Sequence, residues 1–328
     1  CHSQFRGVRC ILRGSLNERR NQEQWTFSDS GETLALTSEH RTPRSLGTEE
    51  IGVAFQPIVD LRTGRLFAAE ALVRCKVPEF KNPLVLFEAA VEAKATGRLG
   101  RTIREVAFAE APSVPLFVNL HPQELSSRWL VRPDDPLNFH DQAVYLEITE
   151  SAAFDHFELV TGTLRELCSR LGAKLVVDDF GAGYSNLKRV VEVEPAVVKL
   201  DRELVIGLHQ NARQRTLVCH VVELCKALGA RVVAEGIETV GELKACRECG
   251  VHYGQGYLLA RPGNPMPAVE WPLGSPAPAS RPPRRVAPTA EVVAKSLPPG
   301  SEGKARTRRS TRAMPAQPPP SRSGRGNR

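Results

Sequence analysis

Between residues 51 and 262 the chain alternates short runs of β-branched and aliphatic residues with longer stretches whose apolar positions recur every three or four residues. The short runs predict strands over residues 53–59, 66–72, 116–120, 144–149, 174–177, 196–200, 231–234 and 253–258. Helical periodicity fills residues 87–109, 157–171, 213–228 and 240–248. Gly172, Gly229 and Gly250 each follow one of these helices, where a left-handed cap is needed. Repeated strand-then-helix units imply a parallel sheet, and eight strands favour a closed (β/α)8 TIM-like barrel over an open sheet. The stretch Asp60-Leu-Arg-Thr-Gly64-Arg65 reads instead as a hairpin turn, so one antiparallel strand is expected within the barrel.

The flanks break this pattern. Residues 1–49 are polar and show no sustained apolar period, which suits a linker or a partial domain. The chain starts at Cys1, as a fragment or a processed product would; Cys1 suits a lipid anchor, and Cys1, His2 and Cys10 suit the remains of a metal-binding module. Residues 271–328 concentrate Pro, Arg, Ser and Ala and have too few aromatics for a core, so a disordered tail is expected. The resulting division is 1–49, a barrel over 50–265, and a tail over 271–328.

Charge changes the picture only in the tail. The whole chain carries +7, but residues 271–328 hold 12 Lys and Arg against 2 acids, leaving −3 for the remainder. The barrel is therefore no basic platform for nucleic acid, although the tail suits an anionic surface, nucleic acid or membrane, if it is more than a solvated extension. No apolar run reaches the roughly 18 residues that span a bilayer, so no transmembrane helix is expected and a cytoplasmic location is the simplest reading. In that compartment Cys168, Cys219, Cys225, Cys246 and Cys249 are expected to be reduced, small hydrophobes in helices. Cys246-x-x-Cys249 as a redox or zinc pair is the weaker alternative, because no second pair of matching spacing follows.

Polar residues gather where the predicted strands stop: Glu70, Asn119, Glu147, Asp178 with Asp179, Lys199 with Asp201, Glu235 and Gln255. In a barrel these positions converge on one cup at the carboxyl ends of the strands. Several carboxylates in one cup resist ionisation unless cations neutralise them. A set of Glu, Asp and Asn without His or Cys points to Mg²⁺ or Mn²⁺ rather than zinc. A pair of such ions activates water for in-line phosphoryl displacement, and Asp178-Asp179 offers the adjacent carboxylates that such a pair needs. Lys199 in the same cup would orient or deprotonate that water and offset charge building on phosphorus.

These residues lie in motifs that resemble the EAL-domain cyclic di-GMP phosphodiesterases from about Phe55 to Arg261: Phe55-Gln-Pro-Ile-Val59, Glu70-Ala-Leu-Val-Arg74, Val118-Asn-Leu120, Glu147-Ile-Thr-Glu150, Asp178-Asp-Phe-Gly-Ala-Gly-Tyr-Ser185, Lys199-Leu-Asp201, Ala234-Glu-Gly-Ile-Glu238 and Tyr253-Gly-Gln-Gly-Tyr257. The resemblance implies metal-dependent hydrolysis of cyclic di-GMP to linear pGpG. Glu70, Asn119, Glu147, Asp178, Asp179 and Glu235 would be metal ligands, and Lys199 the water-orienting base. Asp201 and Gln255 would support the metal-water network, Arg74 would contact a phosphate, and Gln56 would lie near a guanine. Glu150 and Glu238 would anchor the loop after Asp179, and two copies would pair beside that loop. Ala182 and Asn186 depart from the Thr and Ser common there, while the proposed catalytic positions do not depart. The rival reading is a receptor that binds the dinucleotide without useful turnover and signals through its flanking segments.

Overall fold

The computed structural model describes residues 41–274 apart from 126–129, 131, 156, 160, 161, 163 and 182–190. The expectations for most of residues 1–49 and 271–328, and for Ala182 and Asn186, therefore lie outside the described residues.

Eight strands close into a barrel in sequence order: β1 Ile51–Asp60, β2 Arg65–Cys75, β3 Leu116–Asn119, β4 Val144–Thr149, β5 Lys174–Phe180, β6 Val197–Leu200, β7 Arg231–Ala234 and β8 Tyr253–Gly254. β1 runs antiparallel to both β2 and β8, and every other neighbouring pair is parallel. The turn at Gly64, with φ 73°, makes this inversion: it returns the chain directly into β2 without a crossover helix. Trp271 rests where a Cβ on Gly64 would stand, three of its ring atoms 2.6–2.7 Å from that position, so this residue, expected in the disordered tail, packs on the hairpin.

Two expected elements are corrected. Residues 87–109 form two helices, Pro83–Glu92 and Thr96–Glu110, because Lys94 takes a left-handed φ of 51° between them. The helix expected over residues 157–171 is present in its described parts, Phe157–Leu159 and Arg165–Leu171, while residues 160, 161 and 163 lie outside the described residues. β8 stops at Gly254 rather than 258: Gly256 sits where a Cβ would lie 2.2 Å from the backbone of Ile237, a close approach that ends the ladder. The reduced-cysteine expectation is corrected as well, since Cys219 and Cys249 form a disulfide between the helices Ala212–Ala227 and Val240–Glu248. Cys246 points into the core instead and is free, so the Cys246-x-x-Cys249 pair does not exist; Cys75, Cys168 and Cys225 are also free and buried.

Most of the core lies between barrel and helices, with a smaller cluster inside the barrel. One polar group is embedded in the outer layer. Arg104 on the helix Thr96–Glu110 is fully buried and pairs with Glu124 at 2.8 Å and Asp135 at 2.8 Å. Glu124 also accepts from the His121 amide at 3.1 Å, two residues beyond Asn119, so this triad fixes the loop that leaves β3. Gly100 leaves the room it needs, because a Cβ there would meet Glu124 at 2.0 Å. Removing one partner from a buried ionic cluster strands the other charges in a low-dielectric interior. Arg104→Ala is accordingly expected to lower unfolding free energy by about 3–5 kcal/mol in urea titration, whereas Arg101→Ala, removing a solvent-facing pair with Asp134, should change it by less than about 1 kcal/mol.

Candidate metal centre in the barrel mouth

The cup is built by strand periodicity. Inside the barrel, Ala68, Phe117, Tyr145, Val176, Val197 and Val233 form an apolar cluster on β2 to β7. Alternate residues of a strand share one face. The next inward position on each of these strands is Glu70, Asn119, Glu147, Asp178, Lys199 and Glu235 in turn. β1 obeys the same rule in reverse: Ile58 lies in the apolar cluster and Gln56, two residues earlier on this antiparallel strand, pairs with Glu70. A polar layer thus sits on an apolar floor, sealed by aromatic stacking of Phe117 on Tyr145 at 4.2 Å and of Phe67 on Tyr253 at 3.8 Å.

Lys199 stands at the centre, 1% exposed. Its Nζ lies 2.7 Å from Glu235 Oε1, 3.0 Å from Glu147 Oε1, 3.1 Å from Asp178 Oδ1 and 3.4 Å from Glu70 Oε2. Gln255 Nε2 donates to Glu70 Oε2 at 2.7 Å and to Glu235 Oε1 at 3.3 Å, while Asn119 Nδ2 donates to Glu70 Oε1 at 3.2 Å. Adjacent Asp178 and Asp179 escape strand alternation because the β5–β6 register shifts between Val177 and Phe180, and Asp179 takes a left-handed φ of 56°. The Asp179 amide donates to Asp178 Oδ1 at 2.9 Å, which holds the turned backbone.

One ammonium cannot satisfy this many acids. Burial raises Glu147 well above the ordinary carboxylate range, opposed by Lys199 and reinforced by Glu70 and Asp178. Burial likewise lifts Glu235 to about 8 and, with the adjacent Asp178 charge, Asp179 to about 6. Asp178 is raised by burial, with Lys199 opposing. Glu70 goes the other way: burial disfavours its charge, but Lys199 and the hydrogen bonds from Gln255, Asn119 and Lys199 outweigh that and hold it low. Burial also works against the Lys199 ammonium, yet the surrounding carboxylates keep it firmly protonated.

The remaining predicted residues surround this centre. Gln56 is buried and donates to the Ala260 carbonyl at 3.3 Å. Arg74, four residues beyond Glu70 on the same face of β2, is exposed and donates to the Val73 carbonyl at 2.8 Å. Asp201 caps the short helix Arg202–Val205 by accepting from the Glu203 amide at 2.6 Å. Glu150 accepts from the Gly181 amide at 3.1 Å and so meets the start of the loop after Asp179. Glu238 pairs with Arg202 at 2.9 Å, on the exposed rim. Two buried features escape the sequence reading: the Arg104 triad and Glu242. For Glu242 a signal existed, since Thr239-x-x-Glu242 is a capping-box pattern.

The donor set fits hard divalent cations. Neither Glu147 oxygen accepts a well-formed hydrogen bond, although both are buried, and Gln255 Oε1 is likewise unpartnered. Glu70, Glu147 and Asp178 bring ligand atoms within 4.8 Å of one another, as do Asp178, Asp179 and Glu235; the two groups share Asp178 and contain no His or Cys. Oxygen-only sets of this kind suit Mg²⁺, Mn²⁺ or Ca²⁺.

Comparison with known proteins gives the same picture. The EAL domain family matches residues 39–262. Cyclic di-GMP phosphodiesterase PdeR of Escherichia coli is 30% identical over 277 residues, 80% of this chain and 39% of that protein. Cyclic di-GMP phosphodiesterase RocR of Pseudomonas aeruginosa is 32% identical over 263 residues, 76% of this chain and 66% of that protein. Across the first relatives matched, this chain spans 31%, 39% and 44% of their lengths. The Klebsiella pneumoniae BlrP1 structure, a complex with calcium and cyclic di-GMP, superposes with a TM-score of 0.57 at 30% identity, covering 68% of this chain and 58% of that one. With the family matched over the whole barrel and its strand order and strand-end acids in place, the chain belongs to the EAL domain family.

Proposed function

We propose that this chain hydrolyses one phosphodiester bond of cyclic di-GMP, giving linear pGpG, with two Mg²⁺ or Mn²⁺ ions in the barrel mouth. The observation that carries this reading is the single Lys199 ammonium ringed by carboxylates from β2, β4, β5 and the end of β7, with Lys199 the one cation beside the buried Glu147. Counting Asp179, five carboxylates face one ammonium, so full ionisation leaves four negative charges. Two divalent cations offset that number, whereas one leaves the buried excess standing. Glu70, Asn119, Glu147 and Asp178 would hold one ion, and Asp178, Asp179 and Glu235 the other. Bound there, such ions act as Lewis acids toward the phosphoryl oxygens and lower the pKa of water.

The protein's own groups would do the rest. Lys199, fixed from several sides, orients the attacking water and offsets charge on phosphorus. Glu235 takes part in moving the proton, and Asp201 and Gln255 keep the surrounding groups in place. Arg74 on the rim contacts the phosphate, and Gln56 lies near a guanine. Glu150 and Glu238 anchor the loop after Asp179. PdeR and RocR bear the name cyclic di-GMP phosphodiesterase, and BlrP1 is described with calcium or manganese and the same dinucleotide; these support the substrate and the metal class. On this reading the barrel carries the chemistry in the cytoplasm, and residues 1–49 and 271–328 are accessory, the latter basic enough for an anionic surface. Pairing of two copies beside the loop after Asp179 belongs to the same proposal. Among the described residues, no helix is long and apolar enough to cross a membrane.

Incubated with cyclic di-GMP and Mn²⁺ or Mg²⁺, the protein should yield pGpG by chromatography, and a chelator should abolish the product. Tight binding without cleavage under either metal would leave the receptor reading instead.

Metal affinity should rise with pH. Glu235 and Asp179 are protonated below about 8 and about 6, and a proton must leave each before the oxygen can ligate. Calorimetric Mn²⁺ titration is thus expected to show weaker binding at pH 6 than at pH 8.5, with proton release detected from its dependence on buffer ionisation enthalpy. Equal affinity at both values would remove these two carboxylates from the ligand set.

Lys199 and Asp178 should fail differently. Asp178→Asn removes charge shared by both groups of ligands, so Mn²⁺ binding weakens and excess metal restores part of the rate. Lys199→Met removes a competing cation, so metal binds at least as well, while turnover falls by about 10² to 10⁴ and added metal does not restore it. Loss of metal affinity in Lys199→Met would make this residue a structural counter-charge.

A further inference from the structure

The Val240–Glu248 helix begins with a capping box, in which Thr239 Oγ1 accepts from the Glu242 amide at 3.2 Å and Glu242 Oε2 accepts from the Thr239 amide at 3.0 Å. A capping box occupies one carboxylate oxygen. Glu242 does more with both. Its Oε2 also accepts from the Glu238 amide at 3.0 Å, and its Oε1 reaches a distant loop to accept from the Gly207 amide at 2.9 Å. The side chain is only 4% exposed, so these charge-assisted bonds are little screened by solvent.

The two loops so joined matter to the cup. Gly207, at a left-handed φ of 67°, ends the turn that leaves β6 through Lys199, Asp201 and the short helix Arg202–Val205. Glu238 lies on the loop that leaves β7 through Glu235. Gln214 holds the first loop from its other side, its Nε2 donating to the carbonyls of Glu203, Leu204 and Ile206 at 3.2, 2.8 and 3.2 Å. The loops are in close contact above the strands, since a Cβ on Gly236 would meet Arg202 Cγ at 2.3 Å. The Arg202–Glu238 ion pair also joins them, but it is exposed and contributes little. Lys199 and Glu235, which form the shortest ion pair of the cup at 2.7 Å, sit at the roots of these same two loops.

We propose that Glu242 is a positioning residue: its buried carboxylate clasps the loop after β7 to the turn after β6 and thereby sets Glu235 against Lys199. The inference rests on the reading of the cup as a metal centre. A helix-capping role alone explains the Thr239 bonds but not the bond to Gly207.

Glu242→Gln and Thr239→Ala, made in the full chain, separate the two roles. The first puts an amide NH2 among three backbone N–H donors and breaks the clasp; the second removes the hydroxyl half of the cap and leaves the clasp. Both should lower the thermal midpoint. Glu242→Gln alone should weaken Mn²⁺ binding by calorimetry by about 10-fold, the lower end of what lost outer-shell support typically does. In the metal-free protein it alone should also speed amide hydrogen exchange across residues 201–207. Should Glu242→Gln fail to fold, Glu242→Asp, which keeps the charge and shortens the reach by one methylene, is compared in the same way. Unchanged exchange across 201–207, or equal changes in both variants, overturns the clasp and leaves a helix cap. If the wild-type protein binds no Mn²⁺, the metal-centre reading falls by that result alone, and the exchange comparison still decides whether Glu242 joins the loops.

Discussion

The ion cluster around Lys199 is the constraint on which the upper half of this barrel depends. Four carboxylates reach the ammonium, and those of Glu70 and Glu147 come from strands not paired with β6, so the full set of contacts needs the curved barrel and not neighbouring strands alone. Burying such a group is unfavourable unless the partners are well placed, because desolvation rivals the attraction between the charges. The burden of the cup therefore falls on the apolar floor below and the helices outside. The chain meets it with stacked aromatics inside the barrel and two apolar clusters outside it.

Support at the rim follows one physical pattern, in which a buried carboxylate collects backbone amides or a guanidinium and fixes a loop that bears a cup residue. Glu124, held by Arg104, receives the amide of His121 just beyond Asn119. Glu150 receives that of Gly181 just beyond Asp179, and Glu242 receives those of Gly207, Glu238 and Thr239. Each is a local bond with a distant effect, since the loop it holds leads directly from a strand end. Only glycine tolerates some of these approaches: Gly100 and Gly236 sit where a side chain would collide with Glu124 and Arg202.

The barrel and its cup were legible in the sequence because both are written in period two. β4 and β7 coincide with their expected bounds, and the apolar-then-polar step from Tyr145 to Glu147, or from Val233 to Glu235, can be read from the letters alone. What could not be read depends on contacts remote in sequence. Lys94 breaks a helix whose apolar spacing continues on both sides, a tertiary override of a local pattern. The Cys219–Cys249 disulfide spans 30 residues, and whether Cys246 or Cys249 faces Cys219 depends on how the helices pack. Arg104 looks like an ordinary charged residue of an amphipathic helix until Glu124 and Asp135 close on it from outside that helix.

The inverted first strand has a consequence of its own for the cup. In a barrel of parallel strands, each strand delivers its polar residue near its carboxyl end, just before a helix. β1 delivers Gln56 near its middle and continues downward to the hairpin, so its opposite end comes to lie beside the rim. There Phe55 exchanges backbone hydrogen bonds with Gly263 at 2.8 and 3.0 Å, and Gln56 donates to Ala260. The segment after β8 is thereby strapped across the β1 side of the mouth, and Gln255, which leads into that segment, is held against Glu70 and Glu235. The side of the cup facing β1 is in this way closed by backbone and amide groups, which carry no net charge. The carboxylates all come from the parallel strands. Lys199 is accordingly met by charged groups from β2, β4, β5 and the end of β7, and by neutral amide and backbone groups toward β1.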